Sequence, residues 1–456
     1  MEKVSILKRI LYFLIAVPGF FLLTNEYPVL AITSILIVLF LGLLFLFFKG
    51  SITSEHYDVL KILSIIYIYF IISYFISNQS LKNFFSFNFL RYDGSFFFCY
   101  ILFFALAVPY FNYKKVADYY FKILFTVFSL AAIVGIYGYI TEYIPVLFKY
   151  HGDSYGNTFT VFNFAHNATG SVFAVICISL LVFILKETKK SHKALLICLF
   201  MVCLSGLLIT KSRGSYVGFA VGSLVVLWLH FKSIKKFLFT TFIIFIASLP
   251  IIYFTGAYKR ILLIFDIRET NIAWRLVLGE RAIYMFKQSP IFGVGFGRFN
   301  DINFPSGLNN NFSFDHLHVF IGYPHLVSFF MEPNFDFSNA HAHNSYLQYL
   351  AETGLLGIGL LLLFWILCFR KILRGYININ DLFSKKVFLS SLGAISALFA
   401  LALTENYFSA TTVMMCISMI TSLSLGLYWQ ERNCIYGKDL CDRSGLYRAA
   451  DSKHAG

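Results

Sequence analysis

Runs of about 20 mostly apolar residues recur along this chain, and that repetition admits few folds. About twelve such runs fall near residues 9–24, 28–48, 60–77, 95–112, 118–140, 167–185, 194–210, 214–230, 237–254, 346–368, 387–404 and 408–428. Each can cross a hydrocarbon core as an α-helix, which satisfies its own backbone polar groups there. Charged residues make up only 13% of the 456, too few to cover a soluble protein of this length. The sequence therefore predicts an all-α polytopic membrane protein with about twelve transmembrane helices. The 55 phenylalanines suit lipid-facing helices and interfacial belts.

The formal net charge of +14 raises the question of nucleic acid. The basic residues answer it, because they sit in short loops between apolar runs. One set of loops carries Lys49 and Lys61, Lys114 and Lys115, Lys186 to Lys193, Lys232 to Lys236, and Arg370 to Lys386. The alternate loops are poorer in Lys and Arg. That alternation puts both termini in the cytoplasm and excludes nucleic acid as a partner. Residues 10–24 read as a first membrane helix, since no small-residue cleavage site follows them. Six of the eight cysteines lie in apolar runs and behave as small buried hydrophobes.

The expected organisation has four parts: nine helices over 1–254, a large external loop over 255–345, three helices over 346–428, and a cytoplasmic tail over 429–456. The loop is too long and polar to be a plain connector. No inverted repeat and no pair of matching broken helices points to a transporter. Residues 271–289 have apolar groups at Ile272, Leu276, Ile283 and Phe286, the pattern of an amphipathic helix that stops before Pro290. Arg275 and Arg281 lie on different faces of it. The following Gly293-Val294-Gly295-Phe296-Gly297 reads as a tight, close-packed turn. As a dinucleotide fingerprint it fails, because it follows a helix and not a strand.

Polar groups gather where the loop ends, in Ala340-His341-Ala342-His343-Asn344-Ser345. Ionisable residues at a bilayer edge are costly and mark function. His341 and His343 point the same way if the entry to the helix is extended. Asn344, Gln348 and Glu352 recur every four residues and make one polar stripe, which must face the bundle interior. Glu352 is expected to fix the helix or an imidazole. A neutral His343 can take a proton from a hydroxyl near pH 7. Arg213, in the short turn Thr210-Lys211-Ser212-Arg213-Gly214, is held at the membrane edge, where it can bind phosphate oxygens or snorkel to headgroups. His316, His318, His325, His341 and His343 could supply zinc ligands, but no Cys joins them and no His-Glu-x-x-His helix exists. No Gly-x-Ser-x-Gly elbow supports a serine nucleophile.

Three segments together resemble the O-antigen ligase and O-antigen polymerase family of bacterial membrane glycosyltransferases. They are Ser212-Arg213-Gly214; Trp274-Arg275-Leu276 with Ser289-Pro290-Ile291-Phe292-Gly293-Val294-Gly295; and His343-Asn344 followed at a fixed interval by Gly354-Leu355-Leu356-Gly357. The resemblance implies a multi-pass protein of the bacterial inner membrane with its active site facing the periplasm. It implies an undecaprenyl-pyrophosphate-linked glycan as donor and a lipid A-core or glycan acceptor, with no metal or other cofactor. Arg213 and Arg275 would hold the pyrophosphate, and His343 would orient or deprotonate the acceptor. His341, Asn344 and Arg281 complete the expected substrate-binding set. Direct displacement would invert the anomeric carbon.

The His-x-His-Asn run favours a ligase over a polymerase, with protein glycosylation third. Two rivals come from other classes. A glycolipid or ion transporter would line a pathway with the polar stripe, and a structural scaffold would use the loop for partners.

Overall fold

The computed structural model describes residues 57–77, 84, 93–106, 112–141, 150–153, 156–160, 165–231, 233–254, 258, 270–299 and 341–435. The expected helices at 9–24 and 28–48, the loop segments 259–269 and 300–340, and the tail beyond 435 lie outside these residues. So do His316, His318 and His325.

The apolar runs become helices. In chain order these are α1 (Tyr57–Ile76), α2 (Ser95–Leu106), α3 (Tyr113–Thr141), α4 (His166–Lys186), α5 (Lys190–Ile209), α6 (Arg213–Phe231), α7 (Ile234–Phe254), α8 (Thr270–Gln288), α9 (Ser345–Asn378), α10 (Leu382–Leu401) and α11 (Thr411–Ile435). Among the described residues, nine helices are long and apolar enough to cross a membrane. The run expected over 95–112 yields a described helix of 12 residues, which is not among them. The amphipathic helix ends at Gln288, two residues before Pro290. The last helix runs to Ile435, beyond the expected boundary at 428.

One expectation needs correcting: the fold is mostly, but not wholly, α. Strands β1 (Tyr150–Asp153) and β2 (Gly156–Phe159) form an antiparallel hairpin between α3 and α4. Pairing lets a short polar segment satisfy its backbone without helix. Phe159 anchors the hairpin, fully buried against the space that Gly135 leaves open on α3.

The helices α4, α10 and α11 form the centre and are buried over most of their length. Close approach depends on small residues. Gly214, Gly218 and Gly222 on α6 face Thr404, Leu401 and the Gly393 carbonyl, so the start of α6 lies against the end of α10. Ion pairs collect at the other end of the bundle, where Lys114 meets Asp381 at 2.7 Å, Lys371 meets Asp58 at 3.0 Å and Lys386 meets Glu187 at 3.0 Å.

Helix α9 is broken at Gly354, whose φ is +63° and ψ −170°. The glycine-rich turn fills the break. The amides of Val294 and Gly295 donate to the carbonyls of Ala351 and Glu352, and those of Leu355 and Leu356 donate to Pro290 and Ile291. The Tyr69 hydroxyl lies 2.8 Å from both the Phe292 and the Thr353 carbonyls. A Cβ on Gly354 would clash with the Ile291 carbonyl oxygen, and one on Gly293 with the Glu352 backbone. The expected tight turn is therefore half of a two-piece joint.

Gly354→Ala should lower stability by about 1–3 kcal/mol or more, from positive φ and the clash together. Gly359→Ala, whose Cβ meets nothing within 4 Å, should not. Melting temperatures of the two purified variants check this. Equal values would remove the joint from the account.

Candidate functional site

The site is built around a residue that the motifs did not reveal. Glu405 lies in the turn between α10 and α11 and is 8% exposed. Its Oε1 accepts from Asn167 Nδ2 at 2.9 Å and from Arg275 Nη2 at 3.0 Å. Its Oε2 lies 3.1 Å from His341 Nε2 and 2.7 Å from His343 Nδ1. Four side chains from three other parts of the chain thus converge on one carboxylate. A buried anion is stable only when paired and hydrogen-bonded on most of its lone pairs, and Glu405 is. Burial by itself would raise its pKa. The His343 charge and the hydrogen bonds from His341 and His343 outweigh that and hold it well below the ordinary carboxylate value.

Local chain geometry aims the two rings. His341 and His343 stand in the non-helical entry to α9, with ring centroids 4.2 Å apart. The rings share a direction as expected, but not because the entry is extended. His343 itself has φ +47°, a left-handed conformation costing about 1–3 kcal/mol for a residue with a Cβ. The neighbouring bonds fix that turn. Asn344 caps α9 by accepting from the Leu347 amide at 3.1 Å, and its Nδ2 donates to the Leu403 carbonyl at 3.3 Å. The Ser345 amide donates to Ala402 at 2.7 Å, and the Ser345 hydroxyl donates to the Glu405 carbonyl at 2.8 Å. The helix that carries the histidines is stitched to the turn that carries the glutamate.

The polar stripe supports this entry from below. Gln348 accepts from the Ala342 amide at 2.8 Å and donates to Glu352 at 2.9 Å. Glu352 accepts from the Phe299 amide at 3.0 Å. Gln348 and Glu352 are each 1% exposed, so both face inward. Of the two roles expected for Glu352, these contacts support bracing the helix against the glycine-rich turn.

His343 titrates below its ordinary value. Burial is the main cause, and the charges of His341 and Arg275 add to it, while Glu405 opposes them. A neutral ring beside an ionised carboxylate must donate from Nδ1. That leaves Nε2 with a lone pair. Asp93, buried just before α2, feels the His341 charge. Burial raises its pKa, and even with that charge pulling it down it stands at about 6.

Arg275 is half-buried and joins the site directly. Arg213 opens α6, half-buried, and its neighbour Gly214 packs on Thr404, the residue before Glu405. A hydroxyl network extends from there: Ser212 to Ser215 at 2.7 Å and Ser215 to Ser171 at 3.0 Å. The Asn167 carbonyl receives Ser171, Tyr407 and Ser215 hydroxyls at 2.8, 3.0 and 3.2 Å. Arg281, expected to bind substrate, points elsewhere. It is 4% exposed, donates through Nη2 and Nε to the Phe299 carbonyl at 3.0 and 3.3 Å, and lies over the Phe299 ring. The two arginines do occupy different faces of α8.

Among the described residues, His341, His343 and Glu405 also form one group able to hold a metal ion. Asn167, Glu405 and Asp93 are the members that sequence reasoning missed. Glu405 had a signal: it is the one acidic residue between Asp381 and Glu431, isolated between two apolar runs.

Many apolar spans around a buried site of ionisable residues define a multi-pass membrane protein. Residues 196–362, from α5 into α9, match the family model described as O-antigen ligase. The match supports the resemblance read from the motifs, and the matched segment carries Arg213, Arg275, His341 and His343. Members of that family are glycosyltransferase-like enzymes acting on lipid-linked glycans. A search of curated proteins found no match to this chain.

Arg281→Lys should cost about 1.5–3 kcal/mol of stability through lost charged hydrogen bonds. It should leave the KM for a lipid-linked glycan unchanged. A melting curve and a donor titration check this, and an intact melting temperature with a raised KM would return Arg281 to the substrate.

Proposed function

We propose that this chain is an O-antigen ligase. It moves a glycan from undecaprenyl pyrophosphate to a lipid A-core hydroxyl, at the periplasmic face of a bacterial inner membrane. The observation that carries the reading is the Glu405 carboxylate, which orients an imidazole and a guanidinium side by side. Such a pair serves a reaction with one proton to remove and one anion to stabilise.

The acceptor oxygen attacks the anomeric carbon while His343 Nε2 takes its proton. The bond from that carbon to the pyrophosphate oxygen breaks, and its electron pair leaves with the carrier. Arg275 and Arg213 bind the growing negative charge, which a planar, permanently charged fork does better than an ammonium. Attack opposite the leaving group inverts the anomeric centre. Glu405 stays ionised, holds the Nδ1–H tautomer and stabilises the imidazolium, as the acid does in a serine protease triad. His341 shares the same oxygen and supports the ring. No step calls for a metal, because pyrophosphate is already a good leaving group.

His343→Ala should reduce transfer about 10²–10⁴-fold while expression and folding persist. Glu405→Gln should do similar harm to kcat, and it should also move the acid limb of the pH profile. The limb reports the His343 pKa, because only the neutral ring accepts a proton. Glu405 raises that pKa, so its neutralisation should shift the limb to lower pH. Transfer by purified variants, with lipid-linked glycan and acceptor across pH, checks both. Full activity in His343→Ala would end the general-base role.

Ligase and polymerase differ in what accumulates without the gene. Loss of a ligase should leave finished polymer on its lipid carrier. Single repeats attached to core would instead identify a polymerase.

A further inference from the structure

We propose that His341, His343 and Glu405 form an inhibitory site for a transition-metal dication, zinc foremost. The ion would turn the enzyme off by occupying the nitrogen that faces Glu405. One ligand atom from each of the three residues lies within 4.8 Å of the others. His343 Nδ1 and His341 Nε2 stand 2.7 and 3.1 Å from the same carboxylate oxygen. Tetrahedral zinc holds imidazole nitrogen and carboxylate oxygen at about 2.0–2.2 Å, so neighbouring donors are roughly 3.3 Å apart. Movements of roughly 1 Å by three side chains would close that set.

The site is reachable. The His341 side chain is 34% exposed and that of His343 21%, which leaves a fourth position for water. The donors also select the ion. Two imidazoles and one carboxylate suit zinc, nickel or copper, whereas magnesium and calcium prefer oxygen alone. Arg275, 3.0 Å from the other carboxylate oxygen, repels a dication. It weakens the site relative to a closed structural zinc centre, which fits reversible occupation.

The inhibition follows from the ring's single proton and rests on the reading of His343 as the base. Without metal, the proton sits on Nδ1 and donates to Glu405. Metal on Nδ1 displaces it to Nε2, exchanging through solvent, so the ring stays neutral. Nε2 then carries a hydrogen and no longer accepts one. The metal also takes the carboxylate oxygen that held both rings.

The test uses the purified full chain in detergent. Cobalt(II) is titrated in and followed by its visible absorption, then displaced with zinc, with magnesium as the control. One cobalt per chain is expected, displaced by zinc and not by magnesium, and lost in both His341→Ala and Glu405→Gln. Glycan transfer by the wild type should fall about 10²-fold or more as zinc fills the site and return on chelation. Absence of stoichiometric binding, or binding unchanged in His341→Ala, would overturn the site. Full occupancy with undiminished transfer would overturn the inhibition. A metal-free protein that transfers no glycan would instead count against the ligase reading and leave the binding result standing.

Discussion

The site depends on one buried carboxylate. Glu405 gathers hydrogen bonds from α4, from α8 and from the entry to α9, three parts of the chain that lie up to 238 residues before it. Taking an anion out of water costs several kcal/mol, and only partners with good geometry offset that. The stabilisation is therefore collective. Removing one partner leaves the charge less well compensated, while the other three still hold it. The same charge sets the chemistry, fixing a tautomer on His343 and placing a guanidinium beside it.

Two features of the fold hold Glu405 where it can do this. Glycines at 214, 218 and 222 let α6 lie against α10, which brings Arg213 to the turn that carries Glu405. The break at Gly354 lets the 289–297 turn insert its backbone into α9. That insertion couples α8, with Arg275, to the helix that starts two residues after His343. The interval between the His-Asn pair and the Gly354-Gly357 pair in the sequence thus has a physical origin. It is the length of helix between a strained cap and a joint.

Much of this was legible in the residues. Hydropathy runs found every described helix except α8, which its amphipathic pattern revealed. His341 and His343 do come together, but through a left-handed turn at His343 and not through the alternation of an extended entry. Helical periodicity separated Arg275 from Arg281. What stayed hidden was tertiary. Glu405 belongs to no local pattern, since its partners are distant in sequence, and only its isolation among apolar residues hinted at it. Arg281 and Asn344 look like ligand groups by type alone, but backbone carbonyls and amides occupy them. The hairpin at 150–159 was invisible because its strands are short and polar.

The central claim is that an ionised Glu405 holds a neutral His343 with its proton on Nδ1. Nitrogen-15 NMR of the histidine-labelled protein tests it most directly. At about pH 7 the His343 ring should show a protonated Nδ1 and a bare Nε2. In Glu405→Gln that signature should weaken or reverse. An Nε2–H tautomer or an imidazolium in the wild type would contradict the account.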